Sequence, residues 1–175
     1  MVLDVPGVAR DCAAGAAGAA GRAGCGVSVD MNATYRAVAH DLRRTLIHEY
    51  AHLYVAERHH VFGWVEIACN PGGGDAERHF LGRFRHAPII NARARRLIGL
   101  AGTIAELIDD DATVTSADVD DYIRSDVAPL SASDAKLAGM YTARDVQASV
   151  QAVRAVWSLI TARAAEHAEV FGDGT

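Results

Sequence analysis

Residues 45–56 read TLIHEYAHLYVA, with no glycine or proline among them. Leu46, Tyr50 and Leu53 continue a three- and four-residue spacing that begins at Tyr35, Val38 and Leu42. That is the period of an amphipathic helix of about six turns, from Asn32 to Arg58, with Asn32 or Thr34 as its candidate cap. Within it lies HEYAH at 48–52. On a helix, positions four apart return to within about 40° of each other, so His48 and His52 project from one face and can grip one ion. Glu49 sits about 100° further round, outside that grip but within reach of a water beside it. Zinc makes water acidic and polarises a carbonyl, and a neighbouring carboxylate takes the proton. His48 and His52 are therefore candidate metal ligands, Glu49 the candidate general base, and one Zn2+ per chain the expected cofactor. The competing reading is a solvated histidine pair beside a surface carboxylate. The apolar stripe through Leu46, Tyr50 and Leu53 argues against a wholly solvated face.

Further along, Val65, Ile67 and Cys69 alternate with Trp64, Glu66 and Ala68, which predicts a strand running into the turn NPGGGD at 70–75. ERHFLGRFRH at 77–86 is read as a return strand, weakened by Gly82. A second helix is expected over 92–110, burying Leu97, Ile98, Ala101, Ile104, Ala105 and Ile108, with Gly99 and Gly102 admitting another helix closely. The acidic segment at 109–126 predicts a short helix begun by Ser116, SASDAKLAGM at 131–140 another helix start, and about 143–168 a last helix. The expected fold is α+β and predominantly helical, with a small two- or three-stranded sheet and a helical C-terminal part. A length of 175 residues suits one core. Residues 1–30 are Ala/Gly-rich and are expected to form a flexible tail, because small side chains bury too little to offset ordering. Residues 31–170 are expected to form a single domain and 171–175 a flexible end.

Half the residues are hydrophobic and 22% charged, a globular balance. With one lysine, Lys136, a net charge of -5 and no basic cluster interleaved with aromatics, nucleic acid is not an expected partner. AAGAAGAAG at 13–21 makes neither a membrane span nor a signal peptide. Cys12, Cys25 and Cys69 are odd in number and lack CxxC pairing, so neither a disulfide framework nor a cysteine zinc ribbon is expected, and a reducing, cytoplasmic setting fits.

A catalytic zinc keeps three protein ligands. His59 and His60 lie about two turns beyond His52 and are read as solvent-facing rather than as the end of an extended motif. A downstream carboxylate must serve instead: Glu106 in AGTIAELIDD, or one of Asp118, Asp120, Asp121 and Asp134. Glu106 is open to three roles, as ligand, as acceptor for the outer N–H of a ligand histidine, or as a surface charge. Ser131 and Asp134 also have the spacing of a helix capping box.

Three stretches, in order and rough spacing, resemble the FtsH-like zinc metallopeptidases. That family carries HEAGHA on a long helix, then a strand with a glycine-containing segment, an LAGxxAE helix, and an aspartate ligand at a Ser-Asp helix start. TLIHEYAHLYVA, VFGWVEIACNPGGG and GLAGTIAELI (99–108) match the first three, and SASDAKLA (131–138) is similar to the fourth. The resemblance covers about residues 40–140 and implies a zincin-like metallopeptidase domain. It implies zinc on His48, His52 and Asp134, with Asp118 in TSADVDDY as the rival third ligand, Glu49 as base and Glu106 supporting a ligand histidine. It also implies hydrolysis of a peptide or unfolded-protein substrate, with the strand VFGWVEIAC as an edge for the substrate backbone. HEAGH has become HEYAH, so Tyr50 is expected to face the core. No GxxxxGK[ST] and no apolar twenty-residue span are present, so an ATP-independent, stand-alone peptidase or a component recruited by a partner is expected, with homo-oligomerisation left open. Two other classes compete: a non-catalytic zinc- or partner-binding protein acting through its acidic segment, and a zinc amidase with a small substrate. Trp64 and Trp157 are read as packing residues.

Overall fold

A computed structural model describes residues 31–70, 78–125 and 130–172. The expected tail at 1–30, most of the turn after the first strand, and residues 173–175 lie outside these. Helix α1, Met31–Arg58, is the long helix foreseen, though it starts before both Asn32 and Thr34, so neither caps it. Leu42, Leu46, Ile47, Tyr50, Ala51 and Val55 line its buried face. Tyr50 turns inward, and its hydroxyl and His167 Nδ1 share a hydrogen bond of 2.7 Å. The helix ends in a Schellman turn: Val61 N–H reaches back to Ala56 O at 3.0 Å and His60 N–H to Glu57 O at 2.9 Å. His60 takes the left-handed conformation this requires, with φ 58°. The chain therefore leaves the helix before His59 and His60 can join its metal-facing side; His60 is exposed and His59 partly buried.

Strands β1, Gly63–Cys69, and β2, Phe80–His86, pair antiparallel with Val65 opposite Phe84 and Ile67 opposite Gly82. They form a two-stranded sheet. In this register odd-numbered β2 residues bond to β1, so the N–H groups of Phe80, Gly82 and Phe84 point outward. Asp41 of α1 takes two amides at the start of β2, His79 N–H at 2.7 Å and Phe80 N–H at 3.1 Å. This hangs the outer edge of β2 on the helix that carries HEYAH. Cys69 is disulfide-bonded, which goes against the expectation that these cysteines make no disulfide framework.

Helix α2, Ala92–Asp110, is capped by Asn91, whose side chain accepts from Arg93 N–H at 2.9 Å and Ala94 N–H at 3.1 Å. It is the central element, packed against α1 and against two helices that follow. Next come α3, Ser116–Arg124, and α4, Ala132–Ala138. The cap of α3 is Thr115, one residue before the expected Ser116. The single last helix expected is two, α5 over Ala143–Ala155 and α6 over Trp157–Gly172. Val156 breaks them apart, at φ −119° and ψ 11°, its N–H bonding to Val153 O three residues back. A β-branched residue sits at the break, but apolar periodicity runs straight through it, so the pattern hides the kink. Helix α6 also enters the stretch expected to be flexible from 171. Among the described residues no helix is long and apolar enough to cross a membrane.

One core joins these elements, with Leu46, Ile47, Val55, Ile98, Ile104 and Ile160 fully enclosed. Trp157 packs on it, whereas Trp64 is 47% exposed and bonds Glu66 instead. At Gly99 an added Cβ would overlap the backbone of Ala138, so α4 lies flush on α2. Gly99→Val is expected to lower unfolding free energy by about 1–3 kcal/mol through overpacking, read as a lower urea midpoint at unchanged slope.

Candidate metal centre

Three elements meet at the HEYAH face. Helix α1 brings His48 and His52, one turn apart, with ring centroids 4.8 Å from each other. Helix α2 fixes their rotation. His48 Nδ1 donates to Glu106 Oε1 at 2.8 Å, and His52 Nδ1 donates to the Ile98 carbonyl at 2.6 Å. With both Nδ1 atoms engaged outward, both Nε2 atoms turn inward, 3.1 Å apart. Helix α4 closes the group: Asp134 Oδ2 lies 3.1 Å from His48 Nε2, and Oδ1 lies 3.2 Å from His52 Nε2. His48, His52 and Asp134 are the set among the described residues whose ligand atoms converge as a metal-holding group.

Asp134 reaches the site because it declines a local bond. Thr115 with Asp118, and Thr142 with Asp145, form full capping boxes, each carboxylate turning back to its own cap N–H. Ser131 accepts from Asp134 N–H at 3.1 Å in the same way, yet the Asp134 carboxylate points the other way, into the imidazole pair. The rival Asp118 stands outside the group: it is exposed, and its Oδ2 accepts from Thr115 N–H at 2.8 Å and Thr115 Oγ1 at 2.6 Å. Asp120 is paired with Arg124 at 2.8 Å, and Asp121 lies on the exposed face of α3. Glu106 takes its outer-partner role on His48 and stays outside the ligand set.

The donor set fits a small divalent cation. Ligands bound about 2.0–2.2 Å from a tetrahedral zinc lie roughly 3.3 Å from one another; here the two Nε2 atoms are 3.1 Å apart, and one atom each of His48, His52 and Asp134 lie within 4.8 Å of one another. Asp134 Oδ2 is buried and lacks a well-aligned hydrogen bond, an arrangement that costs free energy unless a cation meets that oxygen. Electrostatics agree. Burial works against a charge on His48, but hydrogen bonds and charge from Asp134 and Glu106 outweigh it and raise the imidazole to about 10. Burial would raise Glu106, yet the His48 hydrogen bond and the charges of His48, Arg44 and Arg78 hold it at about 2. Asp134 is likewise held low against its burial, by hydrogen bonds from His48 and His52. Two carboxylates thus draw positive charge into this space, which either a proton or a metal cation can supply.

Glu49 lies beside the group, buried, with its carboxylate accepting the N–H of Phe84. Burial pushes its carboxyl above the ordinary range, and the two imidazoles pull only partly the other way. Glycines make the room. A Cβ at Gly82 of β2 would overlap Glu49 Cγ and Oε1, and a Cβ at Gly102 of α2 would overlap both Nε2 atoms. Phe84 stacks on His52 with centroids 6.0 Å apart and planes at 17°. Gly82, Phe84 and the Ile98 carbonyl were not legible as site residues. Phe84 and Ile98 act through backbone atoms and Gly82 through having no side chain, its one signal in the sequence being that of a poor strand residue.

Compared with known proteins, the chain matches no family model and no curated protein.

Natively purified chain is expected to hold about one zinc, measured by elemental analysis, and Asp118→Ala to hold as much. Asp134→Ala should weaken zinc binding by more than the about 10–100-fold that loss of an outer partner costs.

Proposed function

We propose that this chain is a zinc-dependent peptidase with a zincin-like, FtsH-related architecture, in which His48, His52 and Asp134 hold the ion and Glu49 is the general base. The observation that carries this reading is Glu49. A site that only stores zinc, or is only braced by it, has no use for a buried carboxylate next to the ligands, backed by Phe84 N–H and given its space by Gly82. When bound, zinc supplies a Lewis acid that polarises a carbonyl and makes water acidic near neutrality. The chain's own part is proton handling and orientation. Glu49 accepts a proton from the attacking water and delivers it to the departing amine nitrogen, a role that suits a carboxyl raised by burial toward working pH. Glu106 and the Ile98 carbonyl keep the imidazoles turned so that their Nε2 atoms stay available. The substrate class proposed is unstructured peptide, presented to the chain directly or by a recruiting partner.

One observation favours a second reading, a non-catalytic metal-bound protein: His48, Glu49, His52 and Asp134 are only 8%, 7%, 2% and 6% exposed. A zinc amidase acting on a small substrate suits the same enclosure.

Glu49→Gln separates these. On a library of unstructured peptides the variant is expected to keep its zinc and lose about 10²–10⁴-fold in turnover. Equal turnover in variant and wild type would remove Glu49 from the mechanism. Cleavage of small amides without peptides would favour the amidase, and zinc without any hydrolysis the non-catalytic protein.

A further inference from the structure

Glu106 is a buried carboxylate whose two oxygens face different neighbours, and the outer neighbour is on the metal helix itself. Arg44 stands four residues before His48, on the same face of α1. Its Nε and Nη2 both reach Glu106 Oε2, at 2.9 and 2.8 Å, while Oε1 accepts from His48 Nδ1 at 2.8 Å. We infer that Arg44 is a positioning residue for the metal centre: it clamps the Glu106 carboxylate so that Oε1 is presented to His48, which fixes the ring with Nε2 toward the ion. The inference rests on the metal-site reading above.

Three features carry it. A glutamate has free torsions, and His48 engages only Oε1; the Arg44 guanidinium donates from Nε to Oε2 and brings Nη2 within 2.8 Å of it, so both oxygens are held. Glu106 is also shielded, its side chain 8% exposed, so water cannot replace the arginine freely. Finally, Arg78 adds only a longer contact, 3.5 Å to Oε1 from a side chain 54% exposed, so it is a poor substitute.

Arg43 provides the control. It joins α1 to α2 through Asp109 at 2.6 Å, next to Arg44 in sequence, but has no bond to Glu106. Arg44 also meets Asp110 of α2 at 3.4 Å, so both arginines dock one helix on the other and Arg44 alone adds the contact to Glu106.

Zinc affinity of the full chain, measured by competition with a chromophoric chelator, tests this. Arg44→Ala is expected to weaken binding about 10–100-fold, as loss of an outer partner does, and Arg43→Ala to change it by less than about twofold. Glu106→Gln should lose a similar 10–100-fold, and adding Arg44→Ala to it should cost no more than about twofold further, because the arginine acts through the glutamate. Arg44→Lys, which keeps the charge but not the planar guanidinium, should fall between and serves if the alanine variant does not fold. An equal loss in Arg43→Ala, additive losses in the double variant, or unchanged affinity in both Arg44 variants would each overturn the inference. Zinc held without Glu49-dependent turnover would remove the peptidase reading and leave Arg44 in its role. Glu49-dependent turnover with Arg44-independent affinity would do the reverse, and a wild type that binds no zinc would remove both.

Discussion

The rest of the structure answers to one demand, that the buried carboxylate of Asp134 be met by the two imidazoles facing it and by positive charge in the space they share. Taking a carboxylate out of water costs several kcal/mol unless opposite charge and hydrogen bonds meet it. Asp134 gives up the bond that its position in a helix cap offers and is buried, and in return meets Nε2 atoms at 3.1 and 3.2 Å. To hold that arrangement, each imidazole is braced from behind by α2, α4 is seated against Gly99, and Gly102 is kept bare. Core packing supports the same layout, since Ile98, whose carbonyl bonds His52, is itself fully buried between the elements.

Much of this could be read before any coordinates. The period through Tyr35, Leu42, Leu46 and Tyr50 announced α1, and the i,i+4 histidines carried their own geometry because helix rotation is nearly invariant. The alternation of β1 and the apolar stripe of α2 were equally plain. Choosing Asp134 over Asp118 was a different matter. Both are the fourth residue of a Ser/Thr-x-x-Asp start, and local chemistry predicts the same capping box for each. Only tertiary context decides which side chain turns away, and the resemblance to a family, rather than spacing, pointed to the one whose carboxylate meets the imidazoles.

What could not be read has physical causes. Caps slipped by a residue at α3 because Thr115 and Ser116 are both competent, and the one that starts the helix is fixed by Asp118 three places after Thr115. The division at Val156 leaves no trace in hydrophobicity, as both halves turn an apolar face to one core. Contacts made by backbone atoms, such as Phe84 N–H on Glu49 or Ile98 C=O on His52, are silent in any sequence because every residue possesses the same groups. Arg44 is adjacent to Arg43 and chemically identical to it in the sequence. Its distinction from Arg43 arises entirely from which carboxylate of α2 lies opposite.

The shortness of α4 has a consequence for how the molecule is held together. Seven residues cannot sustain a helix in water by themselves. A cation gripped by positions 48, 52 and 134 would act as a cross-link between the first long helix and this fragment, closing a loop that contains the hairpin, α2 and α3. Loop closure removes freedom from the unfolded chain, so loading of the ion and acquisition of the native topology would be thermodynamically coupled.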